Sequence, residues 1–146
     1  AEKTWQWMEE HVLPECGADA AGKMPDRKIY IMGYSLAGLF ALWALMEKPV
    51  LSGAISCSGS LWYPDFMGKI QNDCHKLHGK KIYLSVGGKE ANTKDPLMAN
   101  VITCTKETYG LLKDQNDVKY ELNSGGHFAD AGKRLAKGLR WMLEEE

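Results

Sequence analysis

Three side-chain types that together can activate a hydroxyl stand far apart in the chain: Ser35, Glu90 and His127. Ser35 lies in Gly33-Tyr34-Ser35-Leu36-Ala37-Gly38, between the apolar run 28–32 and a second apolar run, 39–46. The first run reads as a buried strand and the second as a buried helix. A serine at a sharp strand-to-helix turn is a nucleophile elbow. The turn lifts the hydroxyl above the sheet edge and aims the Leu36 amide, the candidate oxyanion donor, at whatever the serine attacks. The helix N-terminus behind it favours developing negative charge. Gly33 is small, as the turn requires; Ala37 stands where the usual pattern has glycine, and Gly38 follows. A serine hydroxyl is a weak nucleophile without a base. His127, in Ser124-Gly125-Gly126-His127-Phe128, can take its proton at neutral pH and return it to a leaving group. A carboxylate on the other ring nitrogen fixes the tautomer and steadies the imidazolium. Glu90 is the candidate acid, with a solvated loop residue as its plainer alternative. Asp95 and Asp130 rank below it, because both read as helix caps.

These residues need elements that bring them to one place. The pattern predicts helices over 4–13, from the elbow to Met46, from Asp95-Pro96 through Leu111, and from Asp130 to about Leu143. In the last, Ala131, Leu135, Leu139 and Met142 are expected to line the buried face. Strands are predicted over 28–32, 51–57, 81–86 and 118–122. Residues 18–26 read as a small-residue loop, 66–77 as short helical or irregular chain, and 144–146 as a charged tail. Strand and helix alternate, so the sheet should be parallel. The expected fold is α/β, a three-layer parallel sheet of about four strands flanked by helices, in one domain over 1–146. In such a sheet, residues just past the carboxyl ends of strands gather at one edge. Ser35 follows the first strand, Ser58-Gly59-Ser60-Leu61-Trp62 the second, Glu90 the third and His127 the fourth.

Bulk properties narrow the partners. With 146 residues, 45% hydrophobic and 25% charged, the composition is that of an ordinary globular domain. A net charge of -1 gives no case for nucleic acid or an anionic membrane surface. The longest apolar run, 36–46, is shorter than the roughly 20 residues a bilayer span takes. The four cysteines lack zinc-type spacing, and reduced thiols in a cytoplasmic protein are the expectation. No metal or cofactor is implied. Cys57 reads as a small buried residue, and His11, His75 and His78 as surface residues.

The order Ser, Glu, His is that of the α/β-hydrolase triad. The elbow through Leu42, the Ser58-to-Trp62 stretch, Gly125-Gly126-His127-Phe128 and the closing Lys137-Gly138-Leu139-Arg140-Trp141-Met142 resemble the C-terminal half of the putative esterase family. That α/β-hydrolase group includes esterase-D-like and enterochelin-esterase-like enzymes. The resemblance implies Ser35 as nucleophile, His127 as base, Glu90 as acid, and Tyr34 and Trp62 as substrate-binding residues. It also implies a serine hydrolase of small carboxylic esters. The half that carries the family's first strands and its second oxyanion amide has no counterpart here. The expectation is therefore a piece of a longer protein or a short hydrolase-like chain. Its first strand would be an open edge, which invites a homodimer. The alternatives are a non-catalytic hydrolase-like domain with half an oxyanion hole, or a flavodoxin-like binder in which the serine and histidine pair by chance.

Overall fold

The computed structural model describes residues 1–17 and 27–144. Strands β1 (Ile29–Tyr34), β2 (Leu51–Cys57), β3 (Lys81–Gly87) and β4 (Asp117–Asn123) form one parallel sheet in the order β1-β2-β3-β4. The helices are α1 (Glu2–His11), α2 (Leu36–Glu47), α3 (Phe66–Asp73), α4 (Val101–Leu112) and α5 (Ala131–Leu143). The architecture is the expected α/β sheet flanked by helices.

Alternation along the strands builds two cores. Ile31, Ala54, Ile82 and Leu84 face the larger one, with Leu42 of α2, Ile70 of α3 and Leu112 of α4. Ile55, Cys57 and Tyr83 face the smaller one, under Met142 of α5. The helices that connect successive strands thus all pack on one face, as crossovers of a single hand require, and α5 covers the other. Burial on both faces explains why β2 and β3 read as nearly continuous apolar runs. Trp5 of α1 is buried in the larger core.

Three local expectations are corrected. The buried residues of α5 are Arg134, Gly138 and Met142; Leu135 is partly buried against the smaller core, and of the expected apolar face Leu139 is exposed. Gly138 sets this rotation. A Cβ there would meet Ile55 Cγ2 at 2.7 Å and Tyr83 Cδ1 at 2.9 Å, so only glycine lets the helix lie this close to the sheet. Asp130 holds the N-cap position of α5 but makes no side-chain cap bond; its carboxylate pairs with Lys133 at 3.0 Å. Asp95 does cap, accepting from the Leu97 and Met98 amides at 2.8 and 3.1 Å. The element it opens is a 3-10 turn, Met98–Asn100, and the regular helix begins only at Val101. The expected loop 18–26 and the last two residues of the expected tail lie outside the described residues.

Among the described residues β1 pairs only with β2 and forms a sheet edge, and its Met32 is exposed. No described helix is long and apolar enough to cross a membrane.

Candidate active site

The carboxyl ends of the four strands place the chemistry. β1 ends at Tyr34, and Ser35 turns the chain into α2 with φ 58° and ψ -122°. That backbone conformation is costly for any residue with a side chain and persists only where its surroundings impose it. The Ser35 amide donates to the Cys57 carbonyl at 3.0 Å. Its own carbonyl accepts from the amides of Gly38, Leu39 and Ser60 at 3.0, 3.1 and 3.1 Å. Gly33 makes the turn possible: a Cβ there would lie 2.0 Å from the Ala37 carbonyl oxygen, which is backbone and cannot yield. The methyl of Ala37, by contrast, is on an exposed residue, so alanine in place of the usual glycine leaves the turn undisturbed. Among the described residues no acceptor reaches the Leu36 amide, one of the first amides of α2 that have no partner within the helix.

β3 delivers Glu90. A tight turn closed by the Glu90 amide on the Gly87 carbonyl folds its side chain back over the strand end. Oε1 then accepts from the Ser58 hydroxyl at 2.6 Å, the Gly87 amide at 2.6 Å and Arg134 Nη1 at 3.0 Å. Gly87 has no room for a side chain; a Cβ would stand 2.8 Å from Glu90 Oε1 and 2.7 Å from Arg134 Nη2. The acid loop is laced to the histidine loop after β4 by two backbone bonds, Gly88 to Asn123 and Lys89 to Gly125.

His127 closes the arrangement. Its Nδ1 lies 2.7 Å from Glu90 Oε2 and its Nε2 lies 3.1 Å from Ser35 Oγ. With an ionised Glu90, Nδ1 carries the proton and donates it to the carboxylate. Nε2 is then the acceptor for the Ser35 hydroxyl. Burial pushes the Glu90 carboxyl upward, but the bonds from Ser58, His127 and the Gly87 amide more than offset this, and the net shift is below the usual carboxylate range. Burial pushes the Cys57 thiol up, which agrees with an inert core residue.

The other sequence candidates fall in different places. Trp62, with Ser60, Met98 and Val101, lines a cavity of about 50 Å³ that opens on Ser35 and His127. Tyr34 does not line it. Its hydroxyl donates to the His127 carbonyl at 2.5 Å and its ring stands edge-on to the imidazole, so it braces the histidine. Asp95 is taken up in its cap and Asp130 in its pair with Lys133. A larger hollow of about 400 Å³ at the opposite ends of the strands, lined by Lys28, Ser52, His78 and Lys80, holds no hydrogen-bonded serine–histidine pair among the described residues. No group of three or more described His, Cys, Asp or Glu side chains is placed to hold a metal ion. Sequence reasoning missed Arg134 and took Ser58 only as turn chemistry. The one available signal for Arg134 was its helical register with Gly138 and Met142, the stripe that proves to be buried.

Comparison with known proteins agrees with this fold. YbbA of Bacillus subtilis (strain 168) is 26% identical over 119 residues, which cover 77% of this chain and 48% of YbbA. The siderophore hydrolase EstB from Aspergillus nidulans superposes with a TM-score of 0.78 at 19% identity, over 99% of this chain and 58% of EstB. The enterobactin esterase FES from Shigella flexneri gives 0.66 at 23% identity, over 95% of this chain and 38% of FES. These likenesses establish the fold as α/β-hydrolase-like. The chain spans about half the length of YbbA and of EstB, and less of FES. The family model described as Putative esterase matches residues 3–136. That stretch runs through all four strands and takes in Ser35, Glu90 and His127 together, and the chain belongs to the putative esterase family.

Proposed function

We propose that this chain carries the catalytic triad of a serine carboxylic-ester hydrolase, with Ser35 as nucleophile, His127 as base and Glu90 as acid. The observation that supports it most is the position of His127, bonded through one ring nitrogen to Ser35 Oγ and through the other to Glu90. Ser35 Oγ would attack the ester carbonyl carbon while His127 Nε2 takes its proton. The Leu36 amide would donate to the oxyanion of the tetrahedral intermediate. Collapse expels the alkoxide, which leaves as the alcohol with the proton from His127. Water then cleaves the acyl-enzyme by the same steps and frees the acid. Trp62 serves as a wall for the substrate. A small carboxylic ester is the substrate class, in keeping with the ester chemistry named for the enterobactin esterase FES.

The competing reading is a domain that keeps the arrangement without turnover. It draws on the match to only about half of EstB and YbbA, since the second oxyanion donor has no identified source among the described residues. A fluorophosphonate probe separates the two. Covalent labelling that disappears in Ser35→Ala and falls in His127→Ala is expected. A folded wild-type chain that takes no label refutes the hydrolase reading.

A further inference from the structure

We propose that Arg134 is a positioning residue that sets the acid and the base of the site as one unit. The inference rests on the proposed triad and assigns the residue that holds its geometry. Arg134 is 1% exposed, on the sheet-facing side of α5. Burying a guanidinium is expensive, and a whole buried ion pair can often be replaced by apolar residues without loss of stability. What the guanidinium contacts is therefore informative. The two N–H bonds of Nη1 are shared among Glu90 Oε1 at 3.0 Å, Ser58 Oγ at 2.9 Å and Tyr34 Oη at 3.2 Å. Nη2 donates to the carbonyls of Ser124 and Gly126 at 3.1 and 3.0 Å.

The two nitrogens thus hold opposite sides of the His127–Glu90 bond. On the acid side, Nη1 joins Ser58 and the Gly87 amide in filling Oε1. Only Oε2 is left to meet the imidazole, so the carboxylate's rotation is fixed. On the base side, Nη2 ties down two carbonyls of the loop that ends in His127. Tyr34 adds a third hold, linking Arg134 Nη1 to the His127 carbonyl through one hydroxyl. The guanidinium is planar, and its two terminal nitrogens keep a fixed separation. Glu90 and the histidine loop are therefore set relative to each other by a covalent template. A lysine ammonium would be a single point and could serve one side only.

The test uses Arg134→Lys and Arg134→Met in the full chain, with two readouts. The first is hydrolysis of p-nitrophenyl acetate. Misplacement of reacting groups by about 1 Å costs on the order of 10²-fold, so Arg134→Met should lose roughly that much kcat, and Arg134→Lys roughly tenfold. KM should stay within about twofold in both, because the ground-state binding surface is untouched. The second is the downfield proton NMR resonance of the His127 Nδ1–H held by Glu90, which needs no turnover. It should be present in the wild type and move upfield or broaden in both variants, while circular dichroism shows them folded. A folded Arg134→Lys with wild-type kcat and an unmoved resonance overturns the proposal, as does a loss of kcat that only follows the folded fraction. If Arg134→Met does not fold, Arg134→Lys decides; if neither folds, Arg134 is a folding determinant and the positioning role is overturned. If the wild type shows no turnover, the hydrolase reading fails, and the resonance still reports on Arg134.

Discussion

Replacing Glu90 by glutamine tests the site at its most constrained point. The carboxylate accepts three hydrogen bonds at Oε1 and one, from His127, at Oε2. A glutamine amide has one acceptor oxygen and one donor nitrogen. The three donors around Oε1 will claim the oxygen. The amide nitrogen then faces Nδ1 of His127, and two donors cannot face each other. The imidazole must shift its proton to Nε2, where it can no longer accept from Ser35. A wrong-tautomer substitution of this kind costs about 10⁴ in kcat, or roughly 5 kcal/mol of barrier. Stability should fall as well, because Arg134 keeps its buried charge without a counter-ion. Breaking such a pair costs about 3 kcal/mol at the low end of the usual range, appropriate here because the amide oxygen still accepts. The pH dependence comes from Glu90 being held below the usual carboxylate range. Its contribution is fully present above the unfolded glutamate value, about 4.3, and is lost as pH falls through the lower folded value. Urea melts should therefore show the wild type more stable than Glu90→Gln at neutral pH, with the gap closing as pH drops below about 4. The kinetic assay is hydrolysis of p-nitrophenyl acetate, with Asp95→Asn as the control that keeps wild-type rate. A folded Glu90→Gln within tenfold of wild type would refute the assignment of the acid.

Other consequences can be checked with simple measurements. Gly33→Ala places a methyl against the Ala37 backbone, and its melts should show a loss of at least about 3 kcal/mol, the upper end of overpacking costs; a stable Gly33→Ala would mean the elbow is looser than its contacts imply. Thiol titration of the native protein should modify exposed Cys16 first and partly exposed Cys74 next, with buried Cys57 and Cys104 reacting only on unfolding; early labelling of Cys57 would contradict the packing under α5. We propose that the described edge of β1 pairs with a second copy of this chain or with a further segment of a longer protein; a dimer by sedimentation equilibrium supports the first, and a monomer at high concentration excludes it.

The sequence made the sheet and the Ser35–Glu90–His127 grouping legible for the same physical reason. β2 and β3, buried on both faces, leave nearly continuous apolar runs and β4 leaves an alternating one, and a parallel sheet collects the residues after its strands at one edge. Arg134 left no such trace. It stands beside Lys133 and near Lys137 and Arg140, and in sequence this is a solvated helix face. Its counter-charge is 44 residues away. Nothing local marks one cation of four as buried. The α5 face was misjudged only at Leu139: Leu135 and Met142 pack against the smaller core as apolar periodicity expects, whereas the fit of Gly138 against Ile55 and Tyr83 turns Leu139 outward. Tyr34 was placed at the substrate by motif, and only geometry reveals that its hydroxyl reaches the other way, to the histidine loop.

The backbone of Ser35 has a meaning for how such a chain drifts. A side-chain-bearing residue at φ 58° and ψ -122° raises the folded state by about 1–3 kcal/mol, a cost glycine escapes. Marginally stable domains have only about 5–15 kcal/mol in all. Ser35 is thus a standing load on the fold, and Ser35→Gly should melt later than the wild type while losing the proposed chemistry. Wherever the proposed reaction ceases to be selected, the elbow serine is a residue that stability alone would discard.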